Sequence, residues 1–213
     1  MIVLGLDTCL ASCSVAVLDG ERVLASDREV MARGHQERLA PMARAVMAAA
    51  GLAFDRLDRI AVTVGPGSFT GLRVGIAFAK GLALALDRPT VGIGTLEALA
   101  CEAEGLVFAA VDARRGQFYL QGFEAGRALM APEALTAEVA AARLAALSRG
   151  RPFTLVGSGA GLLAEAAPQA RVVSAEGADA RRVGRLALTR QPAPLRPLYL
   201  RAPDAKLPAS ALA

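Results

Sequence analysis

Along the first hundred residues the alternation of hydrophobic and polar positions changes period several times, and each change marks an element. Ile2–Asp7 is a short apolar run, and Ser12–Leu18 and Arg22–Arg28 follow after turn signals, the second of them Asp19-Gly20. Three strands joined by short turns are predicted. From His35 to Gly51 the period becomes helical: Leu39, Met42, Ala43, Val46, Met47 and Ala50 share one face, and Gly51 closes it. Pro41 stands near the first turns, where a missing N–H is least harmful. A strand at Arg59–Val64, a helix at Phe69–Leu86, a strand at Thr90–Gly94 and a helix at Thr95–Glu104 complete the order β-β-β-α-β-α-β-α. That order is the ribonuclease-H-like arrangement of a mixed sheet flanked by helices, an α/β fold.

From Leu106 the pattern partly repeats. Strands are expected at Leu106–Asp112 and Gln117–Phe123, a polar connection follows, and a helix runs from Thr136 to Ser148. Phe153–Val156 with Gly159–Ala166, and Arg171–Val173 with Asp179–Thr189, continue the echo. The reading is an N-terminal lobe over residues 1–104, a smaller lobe over 105–190 and a Pro-rich extended arm over 191–213, whose prolines exclude a helix.

The helix Phe69–Leu86 is apolar nearly all round, with an i+4 ridge of small residues at Gly71, Gly75, Ala79 and Ala83. Such a helix needs cover on both sides. One cover is the sheet. The other is either the helix beginning at His35 or a partner subunit, and the pattern leaves both open. Interrupted by Arg73 and Lys80 and preceded by Gly65-Pro66-Gly67, the segment is a poor membrane span.

Composition narrows the chemistry. Of 213 residues 54% are hydrophobic and 21% charged, which fits a globular chain and not a disordered one. Three cysteines (Cys9, Cys13 and Cys101) argue against a disulfide framework and point to a reducing cytosol. The start reaches Asp7 before an apolar leader could be completed. A single histidine, His35, cannot supply a zinc site or serve both a metal and a triad, and it is read as a polar residue at a helix start. The formal charge is +4, and the segment from Asp179 to Lys206, with seven basic and two acidic residues, exceeds that alone; any RNA contact is expected there.

Two turns could face a nucleotide. Asp7 and Thr8 end the first strand, and Asp112 opens the second lobe in the corresponding way; two such acids would suit Mg-ATP. Gly157 and Gly159, in Leu155-Val-Gly-Ser-Gly-Ala-Gly161, would give close approach to an adenosine, although a loop before a helix explains them equally well. Gly65-Pro-Gly-Ser-Phe-Thr-Gly71 joins a strand to a helix but is not a Walker loop.

Taken together, Leu6-Asp-Thr, Cys13-Ser-Val-Ala-Val17, His35-Gln-Glu-Arg-Leu-Ala-Pro41, Gly65-Pro-Gly-Ser-Phe-Thr-Gly-Leu-Arg-Val-Gly75, Ala79-Lys-Gly-Leu82, Asp112-Ala-Arg114 and Pro197-Leu-Tyr-Leu-Arg201 resemble the bacterial TsaB (YeaZ) family. The long glycine motif is the most specific of these. Cys9 and Gln36, where that family usually has Ser, and Gln117, near an often acidic position, depart from the pattern in the turns only. The resemblance implies an actin/Hsp70-like (ASKHA) two-lobed fold and a cytoplasmic, non-catalytic role in making threonylcarbamoyladenosine beside the anticodon of tRNA. It implies TsaD as the transfer enzyme, TsaE as a further partner, TsaC upstream, tRNA met through the complex, a homodimer when alone, and no cofactor. TsaD-like proteins hold a metal with two histidines where this chain has Thr95 and Leu99, neither suited to that task. The expected docking surface is the helix pair, through Leu39, Met42, Val46, Phe69, Gly71, Leu72, Gly75, Ala79 and Leu82. On this reading Gly75→Leu abolishes complex formation and leaves the lobe folded. An ATP-dependent phosphotransferase using Asp7 and Asp112 is the alternative.

Overall fold

The computed structural model describes residues 1–101 and 103–201. Glu102, at the expected lobe boundary, and residues 202–213 of the arm, with Pro203, Asp204, Lys206 and Pro208, lie outside the described residues. The first sheet is formed by β1 (Ile2–Asp7), β2 (Ser12–Asp19), β3 (Arg22–Val30), β4 (Arg59–Thr63) and β5 (Thr90–Ile93), in the order β3-β2-β1-β4-β5. The hairpin strands β1, β2 and β3 pair antiparallel, and β4 and β5 add in parallel through helical crossovers. Those crossovers are α1 (His35–Ala49) and α2 (Phe69–Leu86). Both bury one face in a single core with Leu4, Leu6, Val15, Val17, Ile60 and Val62. The ribonuclease-H-like order expected from the sequence is thus present.

The second sheet runs β11 (Ala170–Val173), β10 (Phe153–Val156), β6 (Leu106–Arg114), β7 (Gln117–Glu124) and β8 (Arg127–Ala128), with β9 (Glu133–Thr136) also on β7. Two short strands therefore occupy what looked like a polar connection. Each holds too few residues for a hydrophobic period to show. α4 (Ala137–Ser148) and α5 (Ala160–Leu163) cover one face around Phe108, Phe118, Leu144 and Leu155. α3 (Thr95–Ala100) ends before Glu104 and packs Leu96 and Leu99 against Val107, Val111 and Tyr119 of the second sheet.

One element departs from the expected division. The last helix, α6 (Ala180–Leu188), was assigned by position to the smaller lobe, but it returns to the first sheet. Ala180, Val183 and Ala187 bury against Val3, Ala16, Leu18, Ala61 and Val91, on the side opposite α1 and α2. An amphipathic helix of nine residues announces that it needs an apolar floor and not which floor. The described part of the arm then runs beside the first sheet without forming a helix. Ala193 N–H donates to Thr90 O at 3.1 Å, Leu198 N–H to Val64 O at 2.7 Å, and Leu195 is buried.

Candidate functional site

A cavity of about 500 Å³ opens between the sheets, lined by residues that include Cys9, His35, Ser68, Asp112, Tyr119 and Glu176. Asp112 reaches it from the end of β6. Its carboxylate accepts Arg114 N–H at 2.8 Å, and its own N–H donates to Ser158 Oγ at 3.2 Å. His35, nearly buried at the start of α1, lies 3.1 Å from Leu10 O through Nε2 and also lines the cavity.

Asp7, the other acid expected there, is not a lining residue. It is fully buried, and three donors hold it: Thr63 Oγ1 at 2.6 Å and Cys9 N–H at 3.2 Å on Oδ1, and Ala178 N–H at 3.0 Å on Oδ2. Burial pushes its carboxyl above the ordinary value of 3.8, against the pull of those bonds and of Arg28. Arg28 in turn donates to Gly177 O at 3.1 Å. The segment before α6 therefore closes over the side chain. Thr8 donates its hydroxyl to Gly71 O at 2.7 Å, inside the core. Gly157 and Gly159 are pressed on the second sheet: a Cβ on Gly157 would strike Ala110 O, and one on Gly159 would lie 2.8 Å from Phe118. Of the expected nucleotide residues only Asp112 faces the cavity.

Thr95 and Leu99 are buried at the start and near the end of α3, and Leu99 belongs to the apolar cluster between the sheets. Among the described residues no group of three or more His, Cys, Asp or Glu side chains is placed to hold a metal ion. Cys9 Sγ lies 2.9 Å from Thr63 Oγ1. Burial, with the Asp7 charge second, pushes the Cys9 and Cys13 thiols up to about 12. In native protein at pH 8, iodoacetamide is expected to label exposed Cys101 and to spare Cys9 and Cys13 until the chain is unfolded, as read by intact mass.

The helix pair is arranged differently from expectation. Leu39, Met42, Val46, Leu72 and Ala79 are buried in the chain's own core, and Leu82 is half-buried. The small ridge faces inward as well. Gly71 lies under the Thr8 carbonyl, and a Cβ on Gly75 would meet Thr8 Oγ1 at 2.5 Å and Val62 at 3.3 Å. The close crossing that the ridge permits is therefore with the end of β1. Of the residues proposed for docking only Phe69 is exposed.

The outward face of α2 carries Phe69, Arg73, Ala77, Lys80 and Leu84, and Leu84 is 87% exposed. The spacing i, i+4, i+8, i+11 and i+15 gathers them into one stripe. A helix apolar all round hides from sequence which side faces out. Beside α2 the exposed positions of α1 include Ala40, Pro41, Arg44 and Ala45. At the head of the stripe Arg73 lies over the Phe69 ring, 3.6 Å from its centre, and its Nε donates to Tyr199 Oη at 3.3 Å. At its foot Leu84 and Lys80 border an open apolar groove with Pro192–Leu195 of the arm. By length and composition α2 is the one helix among the described residues that could cross a membrane, but its inner side belongs to the core.

The basic end is largely engaged within the molecule. Arg181 pairs with Asp179, Arg185 with Glu21 and Arg190 with Glu97, while Arg182 and Arg201 donate to the carbonyls of Leu99 and Ala113. These residues fasten α6 and the arm to both sheets. The expected RNA surface is thus mostly a set of internal ties.

Comparison with known proteins adds a lineage. Residues 23–150 match the family model for TsaD, tRNA N6-adenosine threonylcarbamoyltransferase. The chain is 38% identical over 124 residues to the tRNA threonylcarbamoyladenosine biosynthesis protein TsaB of Escherichia coli, a match covering 56% of this chain and 53% of that protein. It therefore spans about half the length of that curated relative. The structure of YeaZ from Pseudomonas aeruginosa superposes with a TM-score of 0.77 at 34% identity, covering 87% of this chain and 90% of that one. A ROK hexokinase from Thermus thermophilus, at 17% identity and a TM-score of 0.52, shares the fold alone. The architecture is therefore the ASKHA-like α/β fold expected.

Proposed function

The chain belongs to the TsaB (YeaZ) family, and on that premise we propose that it is a non-catalytic scaffold subunit of tRNA threonylcarbamoyladenosine biosynthesis, docking a TsaD-type subunit through the outer face of α1 and α2. The observation that carries this reading is the uncovered side of α2. An 18-residue helix buries its small ridge within the molecule and still presents Phe69, Ala77 and Leu84 to solvent. Apolar side chains in one stripe, with an Arg and two aromatics at the head, have the composition of an interface core.

The cleft supports the non-catalytic half of the proposal. Asp7 has its carboxylate occupied by three protein donors, and the glycines beside the cavity are filled by the chain's own backbone. In this reading TsaD carries the transfer to the adenosine beside the anticodon, with no cofactor held here. TsaE joins the assembly, TsaC supplies the intermediate upstream, and tRNA is met through the complex in the cytoplasm; alone, the chain pairs with a second copy. The alternative, an ATP-dependent phosphotransferase, has the cavity in its favour but lacks Asp7 within it.

The test is a double variant, Ala77→Gln with Leu84→Ser, which alters only exposed positions. Its affinity for purified TsaD is expected to fall at least about tenfold, with the melting temperature unchanged. Wild-type affinity in the folded double variant would remove this face from the function.

A further inference from the structure

We infer that the α2 stripe is shaped for a foreign helix that is apolar and carries two carboxylates two turns apart, and that a second copy of this chain is its weaker occupant. This rests on the docking reading above. It adds the chemistry of the partner surface and an order of preference.

The argument starts from sign and register. From Phe69 to Leu86 there is no Asp or Glu, and the exposed charges of α2 are Arg73 and Lys80, both within the stripe. On α1 the exposed charges are Glu37, at its start, and Arg44, at mid-helix. Arg38 is paired with Asp27 and Glu29, and Arg88, just past α2, donates to the carbonyls of Leu57 and Asp55. Beside Arg88, Asp87 caps the far end of α2 and is the acid closest to the stripe in sequence. The middle of the face is therefore apolar and cationic.

Self-pairing must be isologous, each stripe meeting its own copy. In an antiparallel alignment the register that seats Phe69 on the partner copy's Leu84, and Leu84 on its Phe69, has its centre between Ile76 and Ala77. The same register sets Arg73 against Lys80 of the other copy, twice. The apolar ends can be satisfied only by facing cation with cation. A different helix escapes this conflict by placing carboxylates at the two positions, seven residues apart, opposite Arg73 and Lys80. Arg73 is already held for that task by the Phe69 ring and Tyr199 Oη, and its planar fork suits a carboxylate.

Lys80→Glu separates the two occupants, because it removes a cation from the foreign contact and converts both self-contacts to Arg–Glu pairs. Lys80 is exposed and makes no ion pair among the described residues, so the melting temperature should not move. At 50 mM NaCl its affinity for TsaD is expected to fall about tenfold, while self-association, measured by sedimentation, tightens about tenfold. Salt should act in opposite directions on the wild-type chain: 500 mM NaCl weakens the TsaD contact and strengthens the self-contact. Lys80→Gln should give intermediate values of both. If Lys80→Glu leaves both associations unchanged, or weakens both alike, the charge assignment is wrong even where the Ala77→Gln/Leu84→Ser variant has lost TsaD. If that double variant still binds TsaD, the docking reading itself falls.

Discussion

Gly71→Ala is expected to melt at least about 10 °C below the wild-type chain, and Gly75→Leu to give no soluble folded protein. Both glycines lie where α2 crosses the end of β1. A Cβ on Gly71 would overlap the carbonyl oxygen of Thr8, which is backbone and cannot rotate away. The hydroxyl of the same residue donates to Gly71 O at 2.7 Å, so moving the helix outward breaks a buried hydrogen bond. Overpacking of this kind costs about 1–3 kcal/mol, and the lost bond adds a similar amount. For a chain of this size each kcal/mol is about 2–4 °C. At Gly75 a leucine must also displace Thr8 Oγ1 and Val62. The expectation from sequence, that Gly75→Leu spares the lobe and removes only a partner, therefore reverses: fold and partner should be lost together. Circular-dichroism melts and solubility on expression decide it, and a Gly75→Leu protein melting with the wild type would show that the crossing can open.

Asp7→Ala should be nearly as damaging, at about 3–5 kcal/mol, because it leaves the Thr63 hydroxyl and the N–H groups of Cys9 and Ala178 without their acceptor inside the core. That is a large share of the stability of an ordinary domain. Asp7→Asn keeps the shape but turns a donor toward one of the present donors, and should cost less. The pH dependence has a definite sign. Burial raises the folded pKa of Asp7 above 3.8, so the folded state holds this proton more tightly than the unfolded chain. Above pH 3.8 its contribution to stability falls as the pH rises, until the folded pKa is passed. The advantage of wild type over Asp7→Asn in urea melts should accordingly be larger at pH 4 than at pH 7. An advantage that grows with pH would mean that the three donors outweigh burial.

The two positions also mark what could be read from sequence. The strands and α1 were legible because their periods are plain, and the β-β-β-α-β-α-β order then fixed the first sheet. The side of α2 facing out was not, since a helix apolar on every side carries no arrow; the inward ridge was taken for an outward one. Asp7 was recognised as an unusual acid at a strand end, but two of its donors, Thr63 and Ala178, lie 56 and 171 residues away. The destination of α6 was hidden for the same reason. A trace of it does exist: Gly5, in mid-strand, sits where a Cβ would meet the backbone of Ala180 and Gly184. A small residue inside β1 and another inside α6 record that contact without naming the pair.

The return of α6 has a further consequence, for the order of events during synthesis. The face of the first sheet formed by Val3, Ala16, Leu18 and Ala61 is among the first apolar surface to leave the ribosome and the last to be covered, since its lid begins at Ala180. Throughout translation of the second sheet that surface stays wet, and Asp7 waits for the N–H of Ala178. The nascent chain is thus a client for holding chaperones over most of its length. A fragment ending at residue 150 would keep the strands and both outer helices and would aggregate through the opposite side.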